Sequence, residues 1–272
     1  MQAKIIGIVN TKGGVTKTTT AVNLAAMLAD GSLGAPERVL LVDMDPQGSA
    51  AKCVAQVNVF ADANRSLTPA LLAQPVGRVP LETVICQSPW SDSLFYVPVH
   101  SESMKHAAGE ILFNHKAPYT ILRRLLSPLI GSFDTIIVDF MPTAPNVNVF
   151  FFNALSAIQY AIIPTQLTEL ALEGLPETFH ELETARTDFE QEIKVLGILP
   201  AEFRRTNSQD TFLTVLRAQY GGQVFDPIPL STDVSDAFAA RLPVHRYNSS
   251  AAATRAFKEF CRQVTARVRR AG

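Results

Sequence analysis

The chain has 272 residues, 47% of them hydrophobic, and its 24 basic and 25 acidic side chains leave a formal net charge of −1. That length supports one sizeable α/β core, and the near-zero balance means that any nucleic-acid surface has to be local. No apolar run reaches the ~18–20 residues of a membrane span, and three scattered cysteines (Cys53, Cys86, Cys261) without a CxxC pair point to a reducing cytoplasm rather than a disulfide framework or a zinc site.

In chain order, MQAKIIGIVN carries one Lys and a short apolar run that leads straight into a loop, which predicts a buried strand over 4–9 rather than a signal peptide. TKGGVTKTTT (11–20) follows, and then a helix predicted over 17–30. RVLLVDMDPQG predicts a strand over 38–43 that ends in Asp43, with Asp45 just beyond. The stretch 58–93, with scattered Pro, Ser and Gln, is the least regular and is expected to hold short helices. Further strands are predicted over 94–99, 134–139, 160–164, 194–199 and 224–228, and helices over 118–131, 147–157, 171–191, 208–219 and 250–270. Strands apolar at nearly every position, such as TIIV, are those covered on both faces. The alternation predicts an α/β fold, a single domain over 1–272 with a mostly parallel twisted sheet and helices on both faces.

The loop 11–20 resembles the phosphate-binding pattern G-x-x-x-x-G-K-[ST], in which backbone N–H groups wrap phosphates, Lys neutralises them and Ser/Thr reaches Mg²⁺. Laid on Lys17-Thr18, the pattern asks for glycine at Thr11 and Thr16, while Gly13 and Gly14 remain for close backbone approach. A phosphate would sit on the N-terminus of the helix beginning at Lys17. Asp43, Asp45 and Asp139, the last in FDTIIVDFMPT (133–143), close strands where an open α/β sheet takes its ligand, and such carboxylates can hold metal-bound water or orient the attacking one. Phe150–Phe152 and Trp90 read as core rather than as a stacking platform, and His100, His106 and His115 lack metal-ligand spacing.

KGGVTKTT resembles the deviant Walker A motif KGGxGKTT of the ParA/Soj–MinD ATPases, and VDMDPQG resembles the VDxDPQGN segment of the ParA/Soj branch. IIVDFMPT, the segment 153–175 (NAL to ALEGL) and LGILPAEFRRTN (196–207) extend the similarity along nearly the whole chain. The deviant motif begins at Lys12 and expects no glycine at Thr11. The resemblance implies ATP/ADP and Mg²⁺ as cofactors and a homodimer with ATP sandwiched between subunits. In it, Lys12 reaches the partner's phosphates, Gly13, Gly14, Val15 and Thr16 line the phosphates, Lys17 binds the β/γ-phosphates, and Thr19 lies near the α-phosphate. Thr18 would ligate Mg²⁺ with Asp43 and Asp139 in its shell through water, Asp45 would position the hydrolytic water, and Pro229 and Ser231 would lie near adenine. Lys12, Lys17 and Asp45 are thus the implied catalytic set.

Thr16 departs from the family's glycine, and at positive φ a β-branched residue there costs on the order of 1–2 kcal/mol. The nucleotide is expected to bind, with hydrolysis or dimer closure altered. The resemblance also implies non-specific DNA binding, with Arg205 and the adjacent Arg204 at one family position. The family's arginines in I-P-R-N-V-R and its R-S-K-G segment are absent here (IPLSTDV, 228–234; SSAAA, 249–253), which weakens phosphate contact. Arg255, Lys258, Arg262 and Arg269 share one face of the last predicted helix, either as a DNA surface or as a solvated cationic face that suits a helix C-terminus.

The resemblance therefore implies a slow, partner-stimulated ATPase of ParA/Soj type that works with a ParB-like or adaptor protein, cytoplasmic and nucleoid-associated, without membrane binding. The chain opens directly on the first strand, so no N-terminal helix-turn-helix domain is expected. Two alternatives remain: a MinD-like membrane-surface ATPase, which needs a C-terminal amphipathic helix free to enter lipid, and a nucleotide-responsive scaffold with little turnover. An iron–sulfur reductase is excluded, because no cysteine follows Asp139 before Cys261.

Overall fold

The computed structural model describes residues 2–60, 62–143 and 148–271. Its strands are β1 Lys4–Ile8, β2 Val39–Asp43, β3 Cys86–Gln87, β4 Leu94–Tyr96, β5 Thr135–Asp139, β6 Tyr160–Gln166 and β7 Lys194–Ala201. They form one seven-stranded sheet in the order β3-β4-β2-β5-β1-β6-β7, parallel throughout except for the short antiparallel pair β3–β4. The helices are α1 Lys17–Ala29, α2 Ser49–Ala55, α3 Leu67–Leu72, α4 Ser101–Asn114, α5 Ile121–Leu126, α6 Asn148–Ala157, α7 Glu169–Glu173, α8 Leu175–Asp188, α9 Asn207–Tyr220, α10 Thr232–Ala239, α11 Val244–Tyr247 and α12 Ala252–Ala271.

The central strands β1, β2 and β5 are buried at nearly every position because helices cover both sheet faces. On one face, residues of α3, α4, α5, α6, α8 and α9 pack with Val42, Ile136 and Val138; on the other, α1, α2 and α12 pack with Ile6, Leu41 and Ile137. Alternation along each strand sends its side chains to the two faces in turn. Phe150 and Phe151 are buried in α6, and Trp90 is buried with its indole N–H donating to the Arg241 carbonyl, so these aromatics serve the core.

Four expectations are corrected. The strand over 224–228 exists only as isolated bridges of Ile198 to Val224 and of Phe203 to Pro229. Pro227 and Pro229 remove alternate N–H donors, so only part of a ladder forms, through Phe225 N–H to the Ile198 carbonyl (2.9 Å) and Ile228 N–H to the Pro200 carbonyl (2.9 Å). The helix over 118–131 shortens to α5 followed by a 3₁₀ turn at Ser127–Leu129, where Pro128 interrupts it. The helix over 171–191 divides at Gly174 into α7 and α8, with Pro176 in the first turn of α8. Residue 147, the first of the helix predicted over 147–157, lies outside the described residues; α6 occupies the rest. The strand over 94–99 ends early, at Tyr96, ahead of Pro98. Helices α2, α4, α10 and α11 and the strand β3 were not anticipated.

Candidate active site

The loop between β1 and α1 is held at its start by a buried polar cluster. Asn10 donates to the Pro164 carbonyl (2.8 Å) and accepts from the Lys12 N–H (2.8 Å), while the Thr11 N–H donates to the Thr178 hydroxyl (3.3 Å). The Thr11 carbonyl accepts from the Thr143 N–H (3.0 Å), which ties the loop to the chain leaving β5. Gly14 takes φ 74°, and Thr16, the residue capping α1, takes φ 67° and ψ 19°. The threonine thus occupies the left-handed conformation that its β-branched side chain disfavours. Its hydroxyl is buried and has no hydrogen-bond partner among the described residues.

Lys17 and the strand-end aspartates face one another below this loop. Lys17 is buried and its ammonium donates to the Lys12 carbonyl (2.5 Å). Burial pushes it down to about 8, against the pull of Asp139 and Asp45. Asp43 and Asp139 are register partners on the adjacent strands β2 and β5, and both are fully buried. Asp43 accepts from the N–H groups of Asp45 (3.0 Å) and Ala51 (3.1 Å), and burial, followed by the Asp45 charge, raises it to about 7. Neither oxygen of Asp139 takes a hydrogen bond of good geometry. Burial and then Asp43 hold it well above the usual carboxylate range, offset only in part by the Thr18 hydroxyl and Lys17.

Two adjacent buried carboxylates, one of them unsatisfied, are costly unless a cation joins them. With a hydroxyl beside them and no thiolate or imidazole, the donors fit a hard divalent ion such as Mg²⁺, held by Thr18, Asp43 and Asp139. Asp45, half-buried, lines the same cavity of about 430 Å³ as Gly13–Thr19 and Pro142. Its carboxylate accepts from the Gln47 N–H (2.8 Å).

Lys12 is placed differently. Its aliphatic stem lies against Gly174 at the α7–α8 junction, where a Cβ would come within 2.5 Å of Lys12 Cε and 2.9 Å of Cγ. Its ammonium has no partner among the described residues.

A second cavity, of about 400 Å³, adjoins the first and is lined by Ile228, Pro229, Leu230, Val234, Phe238 and Phe257, together with Ser231. The Ser231 hydroxyl caps α10 by accepting from the Asp233 N–H (3.2 Å). Thr16, Thr19, Glu202 and Phe238 border both cavities. Glu202 and Gln166 escaped the sequence reading. The signal available was position: Gln166 closes β6, the strand beside β1, and Glu202 directly follows β7, the parallel strand beyond it.

The basic residues singled out in the sequence lie apart from these cavities. Arg204 and Arg205 are exposed on the loop after β7 and form no ion pair among the described residues. Arg255, Arg262 and Arg269 are exposed on the outer side of α12, with Lys258 half-buried. Arg262 pairs with Glu259 (3.4 Å) and Arg255 donates to the Ser250 carbonyl. The inner side of α12 (Phe257, Phe260, Cys261, Val264, Val268) is buried against the core. Arg267 is structural: it donates to the Leu196 carbonyl (2.7 Å) and covers the Phe225 ring at 3.8 Å.

The loop, the carboxylate pair and the sheet order define a P-loop nucleotide-binding domain of the kind whose family model, described as an AAA domain, matches residues 3–195. A chromosome partitioning protein ParA of Myxococcus xanthus is 32% identical, with 90% of this chain and 82% of that protein covered. A chromosome-partitioning ATPase Soj of Thermus thermophilus is 31% identical over 100% of both chains. A cobyrinic acid a,c-diamide synthase from Mycobacterium smegmatis, solved with a bound ATP analogue and magnesium, superposes with a TM-score of 0.76 at 25% identity, covering 96% of this chain and 93% of that one. The chain belongs to the ParA/Soj family of partition ATPases.

Proposed function

We propose that this chain is an ATP-driven switch that dimerises around nucleotide, binds DNA without sequence preference as the dimer, and moves cargo through a ParB-like or adaptor protein. The observation that carries the ATPase part is the buried Asp43–Asp139 pair beside Lys17 at the end of the loop, a charge arrangement completed by Mg²⁺ and phosphate. In this reading Lys17 neutralises the β/γ-phosphates and returns to full protonation beside them. The loop N–H groups of Gly13–Thr18 cradle the same oxygens. Mg²⁺, when bound through Thr18, Asp43 and Asp139, neutralises charge on the transferring phosphoryl group. Asp45 orients the attacking water, and Lys12 leaves Gly174 to reach the partner subunit's phosphates. Pro229 and Ser231 border the base.

Thr16 is proposed to slow the cycle. Its left-handed backbone and unpartnered hydroxyl are relieved by some loop conformations more than by others, so loop closure carries an added cost. For DNA, Arg204 and Arg205 with the outer face of α12 form the proposed contact surface, and nucleoid association follows from it. The inner face of α12 is committed to the core, which supports DNA over lipid as the surface sought.

The test is steady-state ATP hydrolysis with and without DNA, paired with light scattering of the full chain with and without ATP. Hydrolysis that needs Mg²⁺, together with an ATP-dependent dimer, is expected. Absence of nucleotide binding would overturn the reading. Retained binding without turnover would favour the scaffold alternative, for which the Thr16 conformation already speaks.

A further inference from the structure

We infer that Glu202 reads the sugar of the bound nucleotide, and that Gln166 fixes its carboxylate for that purpose. This rests on the nucleotide reading above. A nucleotide spanning the site has its phosphates in the polar cavity at the loop and its base in the apolar cavity between Ile228 and Phe257. The sugar must cross the joint between them. Of the residues shared by both cavities (Thr16, Thr19, Glu202 and Phe238), Glu202 is the single one with a carboxyl group. A carboxylate only accepts hydrogen bonds, and the donors that a nucleotide places between its phosphates and its base are the hydroxyls of its ribose.

Local structure supports a built position rather than an accident of the surface. Glu202 follows directly on β7 and takes φ 54°, a left-handed conformation that costs energy in a non-glycine residue. Gln166, the last residue of β6, donates through Nε2 both to Glu202 Oε2 (2.5 Å) and to the Gly14 carbonyl (3.2 Å). One amide thus joins the phosphate loop to the carboxylate and leaves Oε1 for a ligand. No cation among the described residues pairs with Glu202. Ribose hydroxyls would satisfy it without bringing a competing charge to the phosphates.

The experiment is calorimetric titration of the full chain with Mg²⁺ and ADP, 2′-deoxy-ADP, 3′-deoxy-ADP or IDP, a series free of turnover and of ATP-driven dimerisation. The wild type is expected to bind ADP about tenfold tighter than either deoxy analogue, the size of one charge-assisted hydrogen bond. Glu202→Ala should bind all three adenine nucleotides within about twofold of one another, and Gln166→Ala should lose part of the preference. Melting curves of each variant, with Glu202→Gln as a size-matched second variant, separate loss of reading from loss of fold. An unchanged preference in folded Glu202→Ala would overturn the inference while leaving the nucleotide site intact. So would a wild type indifferent to the deoxy analogues, or a variant that changes only its preference for ADP over IDP, which would make the carboxylate a reader of the base. A wild type that binds none of the four would remove the nucleotide reading itself and this inference with it.

Discussion

The loop 11–19 and helix α12 both pack against α1, one at its amino end and the other along its side, and they are built on opposite terms. In the loop and the strand ends below it, polar groups are left wanting: among the described residues Thr16 has a buried hydroxyl without a partner and a disfavoured backbone, and Asp139, next to Asp43, is met by little beyond the Thr18 hydroxyl. Along α12, apolar side chains are buried and the most enclosed arginine, Arg267, is met by carbonyls and a ring. The helix therefore contributes to stability as it stands. The loop detracts from stability until a cation and an anion arrive, and that deficit marks it as the place for a ligand.

The contrast can be broken at several points. The largest effect is expected in the helix: Phe260→Ala leaves a cavity in a fully buried site and should cost about 3–5 kcal/mol. Chemical denaturation read by circular dichroism measures it. A midpoint unmoved by this substitution would mean that α12 is not part of the cooperative unit.

Next comes pH. Asp43 is raised to about 7 in the folded chain against about 4 unfolded. Between those values the unfolded state binds fewer protons, so the Asp43 contribution to Mg²⁺-free stability should be full below about pH 4 and decline toward pH 7, by on the order of 2–4 kcal/mol, with Asp139, raised in the same direction, adding to the decline. Denaturation midpoints across this range test it, and Mg²⁺ with ADP should flatten the decline.

Asp139→Asn should sharpen the same point from the other side. Replacing the acid by an amide removes the cost of burying or protonating it, and is expected to stabilise the ligand-free chain by about 1–3 kcal/mol while abolishing Mg²⁺-dependent hydrolysis. Stabilisation and inactivation together are what a ligand site gives; a destabilised variant would refute the view of the pair as unmet charge.

Thr16→Gly relieves the left-handed strain, partly offset by the entropy of a new glycine, for a net gain of about 1 kcal/mol and faster turnover. If neither stability nor turnover nor ATP-dependent dimerisation changes, Thr16 has no part in the cycle. Smallest in stability, within about 0.5 kcal/mol, is Arg262→Glu with Arg269→Glu on the outer face of α12. DNA affinity with ATP at two salt concentrations should nevertheless fall and lose salt dependence. An unchanged affinity would take the helix off the DNA surface.

Much of this was legible in the residues. Apolar runs such as IIGIV and TIIVD are strands because both faces are covered, and the glycine–lysine–threonine loop between strand and helix announces phosphate. What escaped depended on tertiary context. The 224–228 strand was misread because β-branched content outweighed two prolines, which in a ladder decide the matter. Helix α4 carried a readable stripe (Met104, Ala107, Ala108, Ile111) that Gly109 and polar neighbours obscured. Glu202 and Gln166 have no motif of their own; only the parallel pairing of β6 with β7 brings them to the loop.

The fit of Lys12 against Gly174 ties together two positions that no local pattern connects. Any side chain at residue 174 would collide with the lysine stem, so mutation there is permitted only if the lysine shifts or shortens with it. Because that stem is flexible, a side chain at residue 174 would displace the lysine rather than the backbone, so the glycine of the α7–α8 junction decides where Lys12 rests.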